Sequence, residues 1–141
     1  MVTGAGGRHI TSLWLPGIGW WLQWRSDDRW RDLPDVQYRD ERAGVHVPVE
    51  DEWAPWTGHP QPQVRAGERD GTPAWSLLHG ELPTLGDVTV VLADGTRPAV
   101  RTVGKVWGCE WHGLPQPATV HHGGVRIDLP VARPQRRWMR P

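Results

Sequence analysis

Residues 88–112 read V-T-V-V-L-A-D-G-T-R-P-A-V-R-T-V-G-K-V-W-G-C-E-W-H and carry the densest strand signal in the chain. Val88, Val90 and Leu92 alternate with Thr89, Val91 and Ala93, so both faces of this run are apolar or small. A strand apolar on both faces belongs inside a layered structure, covered above and below. Asp94-Gly95 is a hairpin signal, because glycine accepts positive φ and aspartate tolerates it. Pro98 has no N–H to give a ladder, so regular pairing resumes after it. Val100 and Val103 are an odd number apart, and Gly104 is the natural place for a bulge that resets the phase. Beyond it Trp107, Cys109 and Trp111 share one face, with Val106, Gly108 and Glu110 on the other. The expectation is a meander of three antiparallel strands in a row.

Seventeen glycines and fourteen prolines among 141 residues punctuate short apolar runs and do not bunch into a linker. That pattern predicts one all-β domain, an antiparallel sandwich or partly open barrel of about eight to ten short strands with at most one short helix. The chain divides into a flexible leader (residues 1–8), the β domain (residues 9–132) and an Arg-rich tail (residues 133–141). Basic and acidic residues balance at sixteen each, so no global field favours nucleic acid or an anionic membrane. A single cysteine excludes an intramolecular disulfide and fits a reducing compartment. Residues 10–24 are apolar, but Pro16, Gly17 and Gly19 interrupt them and no small-residue cleavage site follows. The run is also short of a bilayer span. A cytoplasmic protein without membrane contact is the expectation. Eleven tryptophans stand beside one tyrosine and no phenylalanine. Together with arginine in place of lysine and an absence of asparagine, this matches the codon pull of a GC-rich genome. It points to a bacterium or a phage and makes most indoles core residues standing where phenylalanine would sit.

Before the meander, residues 9–14 read as a strand and Pro16-Gly17 as a turn. In residues 19–25 the alternation puts Trp20, Leu22 and Trp24 on one face and Trp21, Gln23 and Arg25 on the other. Ser26 with Asp27 and Asp28 resembles a helix start that Pro34 would stop. A hairpin through the same residues is the alternative. Residues 36–39 and 45–49 form a second expected hairpin, with Pro48 making its second strand an edge. Residues 50–71 are the longest irregular stretch, and loops of that length are often functional. Residues 75–78 read as a short strand. After the meander, residues 118–121 and 125–131 pair around Gly123-Gly124, with Val125, Ile127 and Leu129 inward.

Cys109, His112, His121 and His122 offer thiolate and imidazole, the ligands zinc prefers. On regular strands Cys109 and His112 point to opposite faces, as do His121 and His122, so a site needs bends at Gly113 and Gly123. The opposing reading is a buried thiol with three loop-edge histidines. Cys109 as a nucleophile requires an exposed thiol in an electropositive setting, whereas Glu110 and two indoles flank it. None of the three serines, Ser12, Ser26 and Ser76, sits in a nucleophile elbow. The acids Glu50, Asp51 and Glu52 beside Trp53 read as a solvated loop.

Recognition through aromatics remains. Trp53 and Trp56, separated by Ala-Pro, present two indoles on one loop, and Trp21 is a stray indole on its strand. Exposed indoles stack on sugars, bases or apolar protein groups. Arg136, Arg137 and Trp138 give the tail an aromatic-basic character that suits nucleic acid or a polyanion. The leading expectation is a non-catalytic binding or assembly module. It would meet a protein partner or a second copy through Trp21, Trp53, Trp56, Arg136, Arg137 and Trp138, with no cofactor. The alternatives are a zinc-dependent enzyme or sensor using Cys109, His112, His121 and His122, and a carbohydrate-binding domain using the Trp53/Trp56 loop.

Overall fold

The computed structural model describes residues 8–130. Residues 1–7 of the expected leader and all of the tail, with Arg136, Arg137 and Trp138, lie outside the described residues. Among the described residues, eleven strands, one short α-helix and a 3-10 turn at Glu50–Glu52 follow in the order β1 (Ile10–Leu15), β2 (Trp20–Arg25), β3 (Arg29–Pro34), α1 (Asp35–Arg42), the 3-10 turn, β4 (Ala54–Pro55), β5 (Gln63–Arg69), β6 (Thr72–Glu81), β7 (Val88–Leu92), β8 (Arg101–Val103), β9 (Val106–His112), β10 (Ala118–His122) and β11 (Val125–Leu129). They form three open antiparallel sheets. The first has the order β1-β2-β3-β4, the second β5-β6-β9-β8 and the third β11-β10-β7. The all-β expectation holds, in its layered form and not as a barrel. Among the described residues, no helix is long and apolar enough to cross a membrane.

The second sheet is the middle layer, and the alternation in β6 and β9 explains why. Leu77 and Val106 face the first sheet, packing with Leu15, Leu22, Trp30 and Val103. Leu78, Trp107, Cys109 and Trp111 face the third sheet, meeting Val88, Val90, Leu92, Ala118, Val120 and Leu129. β9 therefore buries apolar side chains on both faces, and hydrophobic burial fixes its register because a one-residue slip would exchange the two cores.

The three-strand meander is corrected. β7 pairs only with β10, from Val88↔His122 to Leu92↔Ala118, while β8 and β9 pair in the middle sheet. The Asp94-Gly95 turn does form, with Gly95 N–H donating to Leu92 O and Leu92 N–H to Thr96 O. It turns the chain away from β7: Ala93 N–H donates to Pro117 O, and no strand follows until Arg101. Gly104 is not a bulge. It sits at φ +56° in the two-residue turn joining Val103 to Val106, and a Cβ there would lie 2.1 Å from the Trp24 ring. The long irregular stretch is shorter than expected as well. Asp70 and Gly71, at φ +54° and +78°, make a two-residue hairpin turn between β5 and β6. The Gly123-Gly124 hairpin is present as read, with Leu129 buried and Ile127 packed on the core, but Val125 stays 54% exposed.

Of the two readings at Ser26, the hairpin is realised. β2 and β3 join over residues 26–28, with Asp28 at φ +64° and its N–H donating to Arg25 O. The helix comes one strand later. Residues 36–39, expected as a strand, belong to α1, which begins after Pro34 in extended conformation (φ −72°, ψ 159°). Asp35 opens the helix, as the helix dipole favours, and Arg39 Nε lies 2.7 Å from Asp35 Oδ2. The helix buries no residue fully. Tyr38 fastens it by stacking on Trp21 (3.9 Å between centroids, 14° between planes), and Trp21 Nε1 donates to Asp35 Oδ1 at 2.9 Å. With its expected partner helical, the segment 45–49 has no strand to pair with.

Candidate functional site

The outer face of the first sheet carries Gln23 and Arg25 of β2 and Arg31 of β3, and it is buried. Gln23, Arg25 and Arg31 are each 5–6% exposed. The segment from α1 to β4 covers them with carboxylates and one indole. Arg25 donates to Asp27 and to Glu50, and these bonds hold its guanidinium charged. Arg31 donates to Gln23 Oε1 at 2.8 Å, to both oxygens of Glu41, and to Glu52 Oε1 at 3.5 Å. Both guanidinium groups lie over the Trp53 ring, 4.8 and 4.4 Å from its centre. Planar guanidinium can stack on an indole while its edge bonds carboxylates, which ammonium cannot do. Trp53 is thus 5% exposed and unavailable as the contact residue expected from sequence.

Trp56 and Trp21 are corrected in the same direction. Trp56 is half-buried, has Lys105 Nζ 4.8 Å over its ring, and packs against the first core; its buried Nε1 has no hydrogen-bond partner among the described residues. Trp21 is half-buried between Trp14 and Tyr38. The loop carrying Trp53 and Trp56 therefore spends both indoles on its own packing, and no pair of free ring faces is left for a sugar.

The four expected zinc ligands do not converge. Cys109 is fully buried in the core between the middle and third sheets, and burial, then the adjacent Glu110, push its thiol up to about 12. A thiol in that state is neither a nucleophile nor a ready metal ligand at neutral pH. His112 and His121 are exposed. His122 spends its ring on the backbone, with Nδ1 3.0 Å from Asp87 O and Nε2 2.8 Å from Thr84 O. Among the described residues, one trio of His, Cys, Asp or Glu has ligand atoms all within 4.8 Å of one another: Glu41, His46 and Glu52. Its two carboxylates already face the Arg31 guanidinium, which supplies the positive charge a cation would bring.

A second polar group lies between the first and middle sheets. Asp32 accepts from Trp20 Nε1 at 3.0 Å and from both Nε and Nη2 of Arg65. Burial acts to raise its carboxyl, but His79 and Arg65 outweigh that and hold it below the usual carboxylate range. His79 is 1% exposed, its Nε2 is 3.6 Å from Asp32 Oδ2, and neither ring nitrogen has a hydrogen-bond partner among the described residues. An imidazole beside a carboxylate suits acid–base work, but here the imidazole is buried and Arg65 holds the carboxylate. The cleft of about 460 Å³ outside it, between β3 and β5, has Arg31, Asp32, Asp51, Glu52 and Arg65 in its lining, with Asp32 paired to Arg65 and Glu52 to Arg31.

The outer layer exposes apolar side chains beside charged ones such as Arg39 and Glu50. Val45, Val47 and Val49 are 75%, 75% and 58% exposed, and Val36 on α1 is 67% exposed. The segment is pinned from below. His46 Nε2 lies 3.3 Å from Glu52 Oε2, Val45 N–H donates to Asp40 O, and Val49 N–H donates to Glu52 Oε2. Pro48 has no N–H, and Val45 and Val49 spend theirs on the fold, so the valine side chains are what faces outward. Sequence reading placed these valines in a hairpin. The signal against that was Pro34-Asp35 opening a run of helix formers in front of them. Comparison with protein-family models, with curated proteins and with solved structures finds no match.

Proposed function

We propose that this protein is a non-catalytic protein-binding or assembly module whose contact face is the layer outside its first sheet. The observation that carries the reading is the row of exposed valines at 45, 47 and 49 on a segment held rigid by His46 and Glu52. Apolar side chains on a preorganised support favour association, because little conformational entropy is lost on contact. Trp53, the Arg25 and Arg31 guanidinium groups packed on its ring, and their carboxylates act as that support. The contact residues are thus Val36, Val45, Val47 and Val49, in place of the indoles at 21, 53 and 56. The thiol and the buried imidazole take structural roles in this reading.

The test is a photo-crosslinking amino acid placed at position 47 of the full chain, with position 68, exposed near the end of β5, as control. After irradiation in the cells that make the protein, the reading expects a discrete adduct from position 47 and none from 68. No adduct from either site, or equal adducts from both, would refute it.

A further inference from the structure

A cavity of about 210 Å³ opens at one end of the core between the middle and third sheets, well away from the valine row. Trp107 and Val120 form its floor, 2% and 3% exposed, and Val125, Ile127, Pro60 and Pro83 form its walls. Gly80 shapes the floor. A Cβ there would stand 3.0 Å from Trp107 Nε1, so the missing side chain lets the indole lie across the strand.

The walls are preformed. Glu81 fastens the 57–59 loop, its Oε1 accepting from the N–H groups of Thr57, Gly58 and His59 at 2.9, 2.8 and 3.2 Å. Its Oε2 accepts from Trp30 Nε1 at 2.9 Å. His122 fastens the 84–87 loop through the carbonyls of Thr84 and Asp87. The two charge-bearing side chains at the rim are therefore committed to the fold. The polar side-chain groups left in the lining are the Trp107 indole N–H in the floor and the exposed Thr84 hydroxyl at the rim. We infer that this cavity is a binding site for a small uncharged aromatic molecule of one or two rings, held by the Trp107 floor and offered one hydrogen bond by Thr84. Size supports the class, since a dry apolar cavity of about 150 Å³ takes up benzene. A charged ligand would find no free counter-charge, and water would find too few polar partners to fill the space.

Methyl-carbon NMR of the full chain titrated with indole tests this. Saturable shifts are expected at the methyl groups of Val120, Val125 and Ile127, with a Kd on the order of 0.1–1 mM for a ligand of this size. Val125→Trp, at a half-exposed rim position, should leave the melting temperature within about 2 °C and weaken indole at least tenfold by filling the mouth. Absence of shifts at these methyls up to 5-fold above that range overturns the proposal. So do shifts that spread over remote methyls and persist in the variant. N-acetyl-tryptophanamide serves as the stand-in for a partner's side chain. If it binds more tightly than indole, the cavity is a protein contact and the free-ligand assignment fails.

Discussion

Arg31 ties the outer layer to the first sheet, and replacing it with methionine isolates what its charge contributes. The methionine stem keeps most of the apolar contact, so the change deletes the Gln23 bond, both Glu41 bonds, the Glu52 contact and the stack on Trp53. It leaves Glu41, with its side chain 11% exposed, near Glu52 without the guanidinium between them. Removing one partner of a buried ion pair costs roughly 3–5 kcal/mol, and the wetter Glu52 argues for about 3. At about 2.1 cal/mol/K of unfolding entropy per residue over about 120 residues, that is a fall of roughly 12 °C in Tm. Calorimetry at pH 7 and pH 4 supplies a second, independent check. In the parent protein burial works to raise the Glu41 carboxyl, but Arg31 and then Gln37 outweigh it and hold it low. A depressed carboxyl contributes stability that is present above its unfolded value of about 4.3 and lost as pH falls through the folded one. In Arg31→Met burial acts unopposed by Arg31, so protonation should relieve the variant and narrow the gap at pH 4. Glu41→Gln in the methionine background should recover part of the loss at pH 7. A Tm loss below about 3 °C, or an equal loss at both pH values, would refute the reasoning.

Asp32→Asn should cost about 3–5 kcal/mol at pH 7, because it strips the counter-charge from Arg65 between two sheets. The native carboxyl is held low, so its contribution is lost as pH falls below about 4, and denaturant melts should show parent and variant converging there. Gly67→Ala should destabilise by about 1–3 kcal/mol in the same assay, since a Cβ would fall 2.0 Å from the Trp75 ring lying over the β5 bulge. An unchanged denaturation midpoint for either variant would contradict the corresponding packing.

The parts of the fold that could be read from the chain were those where one strand's own alternation decides its faces. The split of Trp20, Leu22 and Trp24 from Trp21, Gln23 and Arg25 is of this kind, as is the split of Trp107, Cys109 and Trp111 from Val106 and Gly108. Pairing partners were less legible. Asp94-Gly95 turns as its sequence implies, yet β7 finds its ladder in β10, a choice made by packing across the core and invisible to local spacing. Asp70-Gly71 was a hairpin signal in plain view within the stretch read as irregular. The outer layer was misread for a physical reason: polar residues in alternation are taken as solvated, whereas Arg25 and Arg31 are buried by acids more than ten residues distant for Glu50 and Glu52. The run Glu50, Asp51, Glu52, Trp53 held the clue, since acids beside an indole are suitable company for a buried guanidinium. The valine row became visible only once its expected partner strand proved to be helix.

Cys109 is the single thiol of the chain and lies at the centre of the two-sided middle sheet, so its chemistry reports on the whole arrangement. Native protein incubated with excess Ellman's reagent at pH 8 should stay unlabelled, then release one thiol equivalent per chain when unfolded in guanidinium chloride. Full labelling of the folded protein within minutes would place that sulfur at the surface and contradict the stacked-sheet account.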